Sequence, residues 1–350
     1  MDKGCKFGTH RVLEPKGVLP QAALRVSNHM EIYHNEILIE VQALNIDSAS
    51  FRQLHEEVDG NIEKMKEKIL SIVEDAGKMQ NPVTGSGGVL VGRVEQIGEA
   101  IANKTDLQVG DRIVTLVSLS LTPLRIDKII DIHTGTDRVD IEGKAILFES
   151  GLYAKIPKDI PEEVAMAALD VAGAPAQTAK MVKAGNRVLV FGAGGKSGIL
   201  CCYEAKKRVG EEGLVVGIEW NDNNLKRLQE LGYCDSLIKG DAQNPMAILE
   251  EALHASGGEE YDLSINCLNR PNCEMSCILP VKDEGIVYFF SMATSFTKAA
   301  LGGEGVAKDV TMMIGNGYTK GHAELTFQAL RESPELMKLF QEVDVGVEGG

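Results

Sequence analysis

The stretch Arg187-Val-Leu-Val-Phe-Gly-Ala-Gly-Gly-Lys-Ser-Gly198 constrains the fold more than any other part of this chain. Val188 to Phe191 is an apolar run without alternation, as expected of a parallel strand buried on both faces. Gly192, Gly195 and Gly198 follow at three-residue spacing, with Gly194 as an extra, so the turn can take positive φ and a ligand can come close to the backbone. Ile199 to Val209 then reads as a helix whose first amides and positive dipole end face the turn. A pyrophosphate suits that site, held by Gly192, Gly194, Gly195, Lys196, Ser197 and Gly198.

The residues that follow complete the unit. Leu214 to Ile218 is a second buried strand and ends in Glu219, 21 residues beyond Gly198. An acid at that point accepts hydrogen bonds from the adenosine ribose and repels a 2′-phosphate, so NAD is favoured and NADP is the second choice. The competing reading of the glycines alone is an ordinary strand-turn-helix, against which strand, glycines, helix and acid stand together. A P-loop, imitated by Gly195-Lys196-Ser197, fails because its first glycine would fall at Val190.

At 350 residues the chain has room for two domains. Its net charge of −15 and the lack of any Lys/Arg-rich block argue against nucleic-acid or anionic-membrane partners. No apolar run reaches transmembrane length and no apolar segment follows Met1-Asp-Lys-Gly-Cys-Lys6, which leads us to expect a cytoplasmic protein. Seven cysteines without a C-x-x-C pair read as reduced thiols.

Residues 1–156 look rich in strands and turns. Glu36 to Leu44 alternates as a half-buried strand and leads into a polar, loop-like cluster, Asn45 to Ser50. Ile62 to Val73 has helical apolar spacing, and a glycine-rich turn at 81–88 opens a strand at Val89 to Ile97. Another short strand follows Gly110. From Pro161 the pattern changes: helices alternate with strands at Ser236 to Lys239, Tyr261 to Asn266 and Gly285 to Phe290, which predicts a doubly wound parallel sheet over 157–300. A final segment, 301–350, carries a Gly-Asn-Gly turn at 315–317 and a helix near Ala323 to Leu330, and is expected to pack back on the first domain.

The order of strand-rich domain, glycine turn, Val109-Gly-Asp-Arg112 and Rossmann domain resembles the medium-chain dehydrogenase/reductase superfamily over nearly the whole chain. Four stretches resemble one zinc-free family within it, the L-erythro-3,5-diaminohexanoate dehydrogenases of anaerobic lysine fermentation: Gly4-Cys-Lys-Phe-Gly-Thr-His-Arg11, Glu14-Pro-Lys-Gly-Val-Leu-Pro20, Leu44-Asn-Ile-Asp-Ser-Ala-Ser-Phe51 and Gln80-Asn-Pro-Val-Thr-Gly-Ser-Gly-Gly88. The resemblance implies an α/β protein, a GroES-like β-rich catalytic domain with a doubly wound Rossmann domain, and a homodimer or homotetramer. Where the superfamily's zinc enzymes carry metal ligands, this chain has Asn45, Ser86 with Gly87, and about Val171, so no metal is expected.

The family's implied chemistry is NAD-dependent oxidative deamination of a diamino acid, which needs a general base for the ammonium and again for water. Asp47 lies where the zinc enzymes carry a relay hydroxyl and is the first candidate base; its competing reading is a capping or Asx-turn aspartate. Arg52, or His10 and Arg11, could meet the substrate carboxylate, and Asn45, Ser48, Thr84 and Ser86 could line the amine site. Against these stand a structural role for His10 and a plain surface role for Arg52. Asp170 and His10 are the fallback bases. Other readings of the chain are a zinc-free quinone or enoyl reductase and a noncatalytic NAD-binding protein.

Overall fold

The structure, a computed structural model, describes residues 4–315 and 317–342. The chain divides between Glu162 and Glu163 into two compact units.

The first unit is built on a six-stranded antiparallel sheet in the order Leu124–His133, Arg138–Phe148, Glu36–Asn45, Val89–Ile97, Arg112–Thr115, Tyr153–Lys155. Ile37, Ile39 and Val41 alternate into its core, and Leu44 and Ile46 continue the same buried cluster. The change of parity comes from a bulge, where the pairing shifts between Val41 and Ala43, so that one extra residue flips the following side chains. The cluster expected to be a loop is instead a helix start: Asp47 caps a helix over Ser48–Glu57. A second helix, Ile62–Ala76, buries Met65, Ile69, Ile72 and Val73 and stops at Gly77 with φ 73°. The sequence reading missed the long hairpin of Leu124–His133 and Arg138–Phe148, whose own register shifts spoil its alternation.

The second unit holds a parallel sheet in the order Ser236–Lys239, Leu214–Glu219, Arg187–Phe191, Tyr261–Asn266, Val281–Phe289, Thr311–Ile314. Val188, Leu189 and Val190 are fully buried, as a central strand between two helical layers requires. The strand order reverses between Arg187–Phe191 and Tyr261–Asn266, and in such sheets ligands bind beyond the strand ends at that switch point. The tail does not pack as expected. Thr311–Ile314 pairs with Val281–Phe289, and the helix His322–Glu332 packs on those at Gly173–Met181 and Lys196–Val209, so the described tail extends the second unit. Asn316, in the middle of the expected Gly-Asn-Gly turn, and residues 343–350 of the tail lie outside the described residues, as do residues 1–3. Among the described residues no helix is long and apolar enough to cross a membrane.

Candidate functional site

In the second unit, the strand Arg187–Phe191 delivers the chain into a turn whose close contacts admit only glycine at two points. Gly192 has φ 69°. A Cβ on Gly198 would lie 2.0 Å from the Gly192 carbonyl oxygen, so helix and turn meet backbone to backbone. A Cβ on Gly194 would lie 2.4 Å from Cβ of Asn224 and 2.7 Å from Oε2 of Glu219. The helix Lys196–Val209 begins at Gly195 with no side-chain cap, and Lys196 and Ser197 in its first turn are half-buried. Its leading amides and positive end are therefore available to an anion.

Glu219 ends the neighbouring strand and is 7% exposed. Its Oε2 accepts from the Gly194 N–H at 3.0 Å, and its Oε1 accepts from the Trp220 and Asn221 N–H groups at 2.8 and 2.9 Å. Those three bonds occupy three of the carboxylate's four lone-pair positions and leave one on Oε2. The glycine cradle, the open helix start and this fixed acid fit a nicotinamide dinucleotide, with all seven sequence-predicted cofactor residues in one small region.

In the first unit, the 81–88 turn packs under the start of the Ser48–Glu57 helix. Asn81 is fully buried and clamps the two: its Nδ2 donates to the Ser50 carbonyl and to Gln53 Oε1, while its Oδ1 accepts from the Val83 and Thr84 N–H groups. A Cβ on Gly88, which has φ 99°, would lie 2.0 Å from the Asn45 carbonyl oxygen, and one on Gly87 would lie 2.4 Å from the Met79 carbonyl oxygen. This close packing brings three hydroxyls together. Ser50 Oγ, fully buried, lies 2.5 Å from Thr84 Oγ1 and 2.6 Å from Ser86 Oγ.

The remaining sequence candidates separate into two groups. Asp47, exposed, accepts from the Ala49 and Ser50 N–H groups through Oδ1, at 3.1 and 3.4 Å, so its capping role is real; its Oδ2 has no hydrogen bond within the described residues. Ser48 donates to Asp137 Oδ2 at 2.5 Å. Asn45 ends its strand half-buried, and Arg52 is exposed and makes no ion pair among the described residues. These lie on or beside one helix start.

His10 and Arg11 do not join them. Arg11, 2% exposed, places Nε and Nη2 on the two oxygens of Glu36 at 2.7 and 2.6 Å and spends its other donors on the carbonyls of Ser27, His29 and Glu31. His10 Nε2 lies 2.8 Å from the same carboxylate. With all five guanidinium donors used, Arg11 has none for a substrate carboxylate, and its assignment to the substrate is withdrawn along with that of His10. Burial alone would raise the Glu36 pKa, but the hydrogen bonds from Arg11, His10 and the Tyr33 N–H bring it down to about 2.

Sequence reasoning missed Ser50, the centre of the hydroxyl group, and Asn81, which positions it. The Asn-Pro pair at 81–82 is a turn signal, and Ser50 stands three residues after the capping Asp47, but neither spacing shows that the two segments touch.

Comparison with known proteins agrees with this architecture. Residues 10–157 match the profile of the L-erythro-3,5-diaminohexanoate dehydrogenase N-terminal domain. The chain is 64% identical over 341 residues to the L-erythro-3,5-diaminohexanoate dehydrogenase of Acetoanaerobium sticklandii, covering 97% of this chain and 99% of that one. It is 61% identical over 343 residues to the enzyme of the same name from Fusobacterium nucleatum subsp. nucleatum, covering 98% and 99%. Among solved structures, a quinone oxidoreductase of Pseudomonas syringae pv. tomato superposes with a TM-score of 0.55 at 15% identity, over 92% of each chain. A mycobacterial protein complexed with NADPH gives 0.55 at 17% identity, over 93% of each. These two show the shared fold, whereas the long, close matches show that the chain is an oxidoreductase and belongs to the L-erythro-3,5-diaminohexanoate dehydrogenase family.

Proposed function

We propose that this chain carries out NAD-dependent oxidative deamination of L-erythro-3,5-diaminohexanoate to 5-amino-3-oxohexanoate and ammonia, as a cytoplasmic homodimer or homotetramer in lysine fermentation. The observation that carries this reading is the 64% identity, over nearly the full length of both chains, to a relative bearing that enzyme's name. Bound NAD would supply a hydride acceptor at C4 of its nicotinamide. NAD rather than NADP is supported by the buried acid at 219, whose charge opposes a 2′-phosphate.

The chain's own residues supply the rest. The ammonium must lose a proton before its carbon can give up hydride, and Asp47 is the proposed base, with Oδ2 able to receive that proton while Oδ1 keeps the helix cap. Arg52 offers an exposed cation to the substrate carboxylate, and Asn45, Ser48, Thr84 and Ser86 offer polar groups to its nitrogens. The balance is one primary ammonium on a secondary carbon, one NAD⁺ and one water giving a ketone, NH₄⁺, NADH and a proton.

The direct test follows NADH absorbance with the purified chain, NAD and the diamine. Formation of NADH with ammonia and the 3-oxo acid in equal amounts is expected; absence of NADH under conditions where NAD binds would overturn the reading.

A further inference from the structure

Oxidative deamination requires a second proton acceptor, for the water that hydrolyses the iminium, and resting on the function proposed above we infer that the hydroxyl chain Ser86–Ser50–Thr84 is that water's proton outlet. The three oxygens form a continuous path: Ser86 Oγ to Ser50 Oγ at 2.6 Å and Ser50 Oγ to Thr84 Oγ1 at 2.5 Å. The path starts at a half-buried side chain, passes through one that is fully buried, and ends at one exposed to solvent. Each hydroxyl has one hydrogen and two lone pairs, so Ser50 can accept from one neighbour while donating to the other, and reversing both bonds moves one proton along the chain.

Acidity decides which of the two protons travels this way. An alkylammonium has a pKa of about 10, like that of a lysine, and does not surrender its proton to an alcohol. Water becomes strongly acidic as its oxygen bonds to an iminium carbon, and a hydroxyl is then a sufficient acceptor. In the step, the C–O bond forms and the C=N π pair moves to nitrogen. The water proton passes to Ser86, the Ser86 proton to Ser50, the Ser50 proton to Thr84, and the Thr84 proton to bulk water. The product is a neutral carbinolamine, and every hydroxyl is restored. The geometry also excludes a joint hold of all three hydroxyls on one ammonium, while leaving Thr84 or Ser86 singly able to meet a substrate nitrogen. An ammonium held by three acceptors at tetrahedral angles spreads them well beyond 4 Å apart, whereas the two short edges here are 2.5 and 2.6 Å and the third, Thr84 Oγ1 to Ser86 Oγ, is 3.4 Å.

Ser50 in this role is a positioning and relay residue, and the reaction's two halves separate it from a structural one. Rapid mixing of Ser50→Ala with NAD and the diamine should show a burst of about one NADH per site at the wild-type rate. A steady state slowed about a hundredfold, the low end of proton-transfer losses, should follow, with NAD affinity and melting temperature held. Thr84→Val, which interrupts the exposed end without touching the buried one, should keep a burst amplitude near one NADH per site, its burst rate reporting any lost contact to the substrate, and should slow the steady state as Ser50→Ala does; in both variants the solvent deuterium isotope effect on the slow phase should differ from that of the wild type. Loss of the burst in proportion to the steady state in both variants, or steady-state rates equal to the wild type, would overturn the relay. A wild type that forms no NADH from the diamine overturns the functional reading, and the relay with it.

Discussion

Glu219→Gln probes the cofactor site with the smallest change in shape. The carboxylate receives three backbone N–H groups, two on Oε1 and one on Oε2, with one lone-pair position left for a ligand hydroxyl. A glutamine can satisfy the pair from Trp220 and Asn221 with its carbonyl oxygen, but its amide nitrogen then faces the Gly194 N–H, donor against donor. The reverse orientation sets a donor against two donors and is worse. Losing that bond within a buried turn costs about 1–3 kcal/mol of stability, and losing a charged acceptor for the ribose costs about 1.5–3 kcal/mol of binding. The second figure corresponds to a rise in Kd for NAD of roughly ten- to a hundredfold. Affinity for NADP should improve relative to NAD, because the charge opposing its phosphate is gone. Fluorescence titration with NADH and NADPH reads both changes, and a thermal melt reads the turn. A variant that binds NAD within twofold of the wild type, with an unchanged NAD/NADP ratio, would show that Glu219 serves the turn and not the cofactor.

Three further expectations follow from the geometry. Glu36→Gln strips the charge from a buried partner of Arg11 and should destabilise the fold by about 3–5 kcal/mol in denaturant titration; a loss below about 1 kcal/mol would refute the buried-pair account. Because the folded-state pKa of Glu36 lies at about 2, below the ordinary 4.5, its contribution of about 3 kcal/mol is fully present above pH 4.5 and lost as pH falls from there toward 2. The same acid titration on Glu36→Gln should lack that part of the slope. Asp47→Asn keeps a capping oxygen but removes the proposed base, so turnover should fall about a hundred- to ten-thousandfold while NAD affinity and the melting temperature hold; turnover close to that of the wild type would move the base elsewhere. Gly198→Ala forces a methyl to 2.0 Å from a carbonyl oxygen and should abolish measurable NAD binding or lower the melting temperature by several degrees, and a variant that does neither contradicts the close contact.

How much the sequence could disclose depended on whether a feature is local. The strand-turn-helix at 187–209 is a single continuous segment whose glycines, apolar run and terminal acid each have one structural meaning, and all of them lie together in the folded chain. The hydroxyl chain joins residues 34 and 36 positions apart, through a glycine turn whose tightness is set by backbone atoms of other segments. No periodicity reveals such a meeting. Arg11 misled for the opposite reason: beside a histidine in a polar stretch it looked available, and only the fold brings Glu36 and three carbonyls onto its donors. The helix at Ser48–Glu57 was hidden because its polar first turn, Asp47-Ser48-Ala49-Ser50, reads equally well as a loop until the cap bonds are seen.

The tightness of the turn at Gly87 also bears on which side chains this site can acquire. At a looser turn, a glycine can be exchanged for a residue that contributes a side chain to the neighbouring site. Here the backbone has closed over the place where such a side chain would begin. Any Cβ at 87 meets the Met79 carbonyl oxygen at 2.4 Å and the Ser120 nitrogen at 2.6 Å. A substitution at 87 would thus clash with two segments of main chain before it contributed any side-chain group. Packing of this kind works as a ratchet: each later contact that settles against the turn makes a side chain at 87 more costly, so variation of this site is confined to the residues around the glycine.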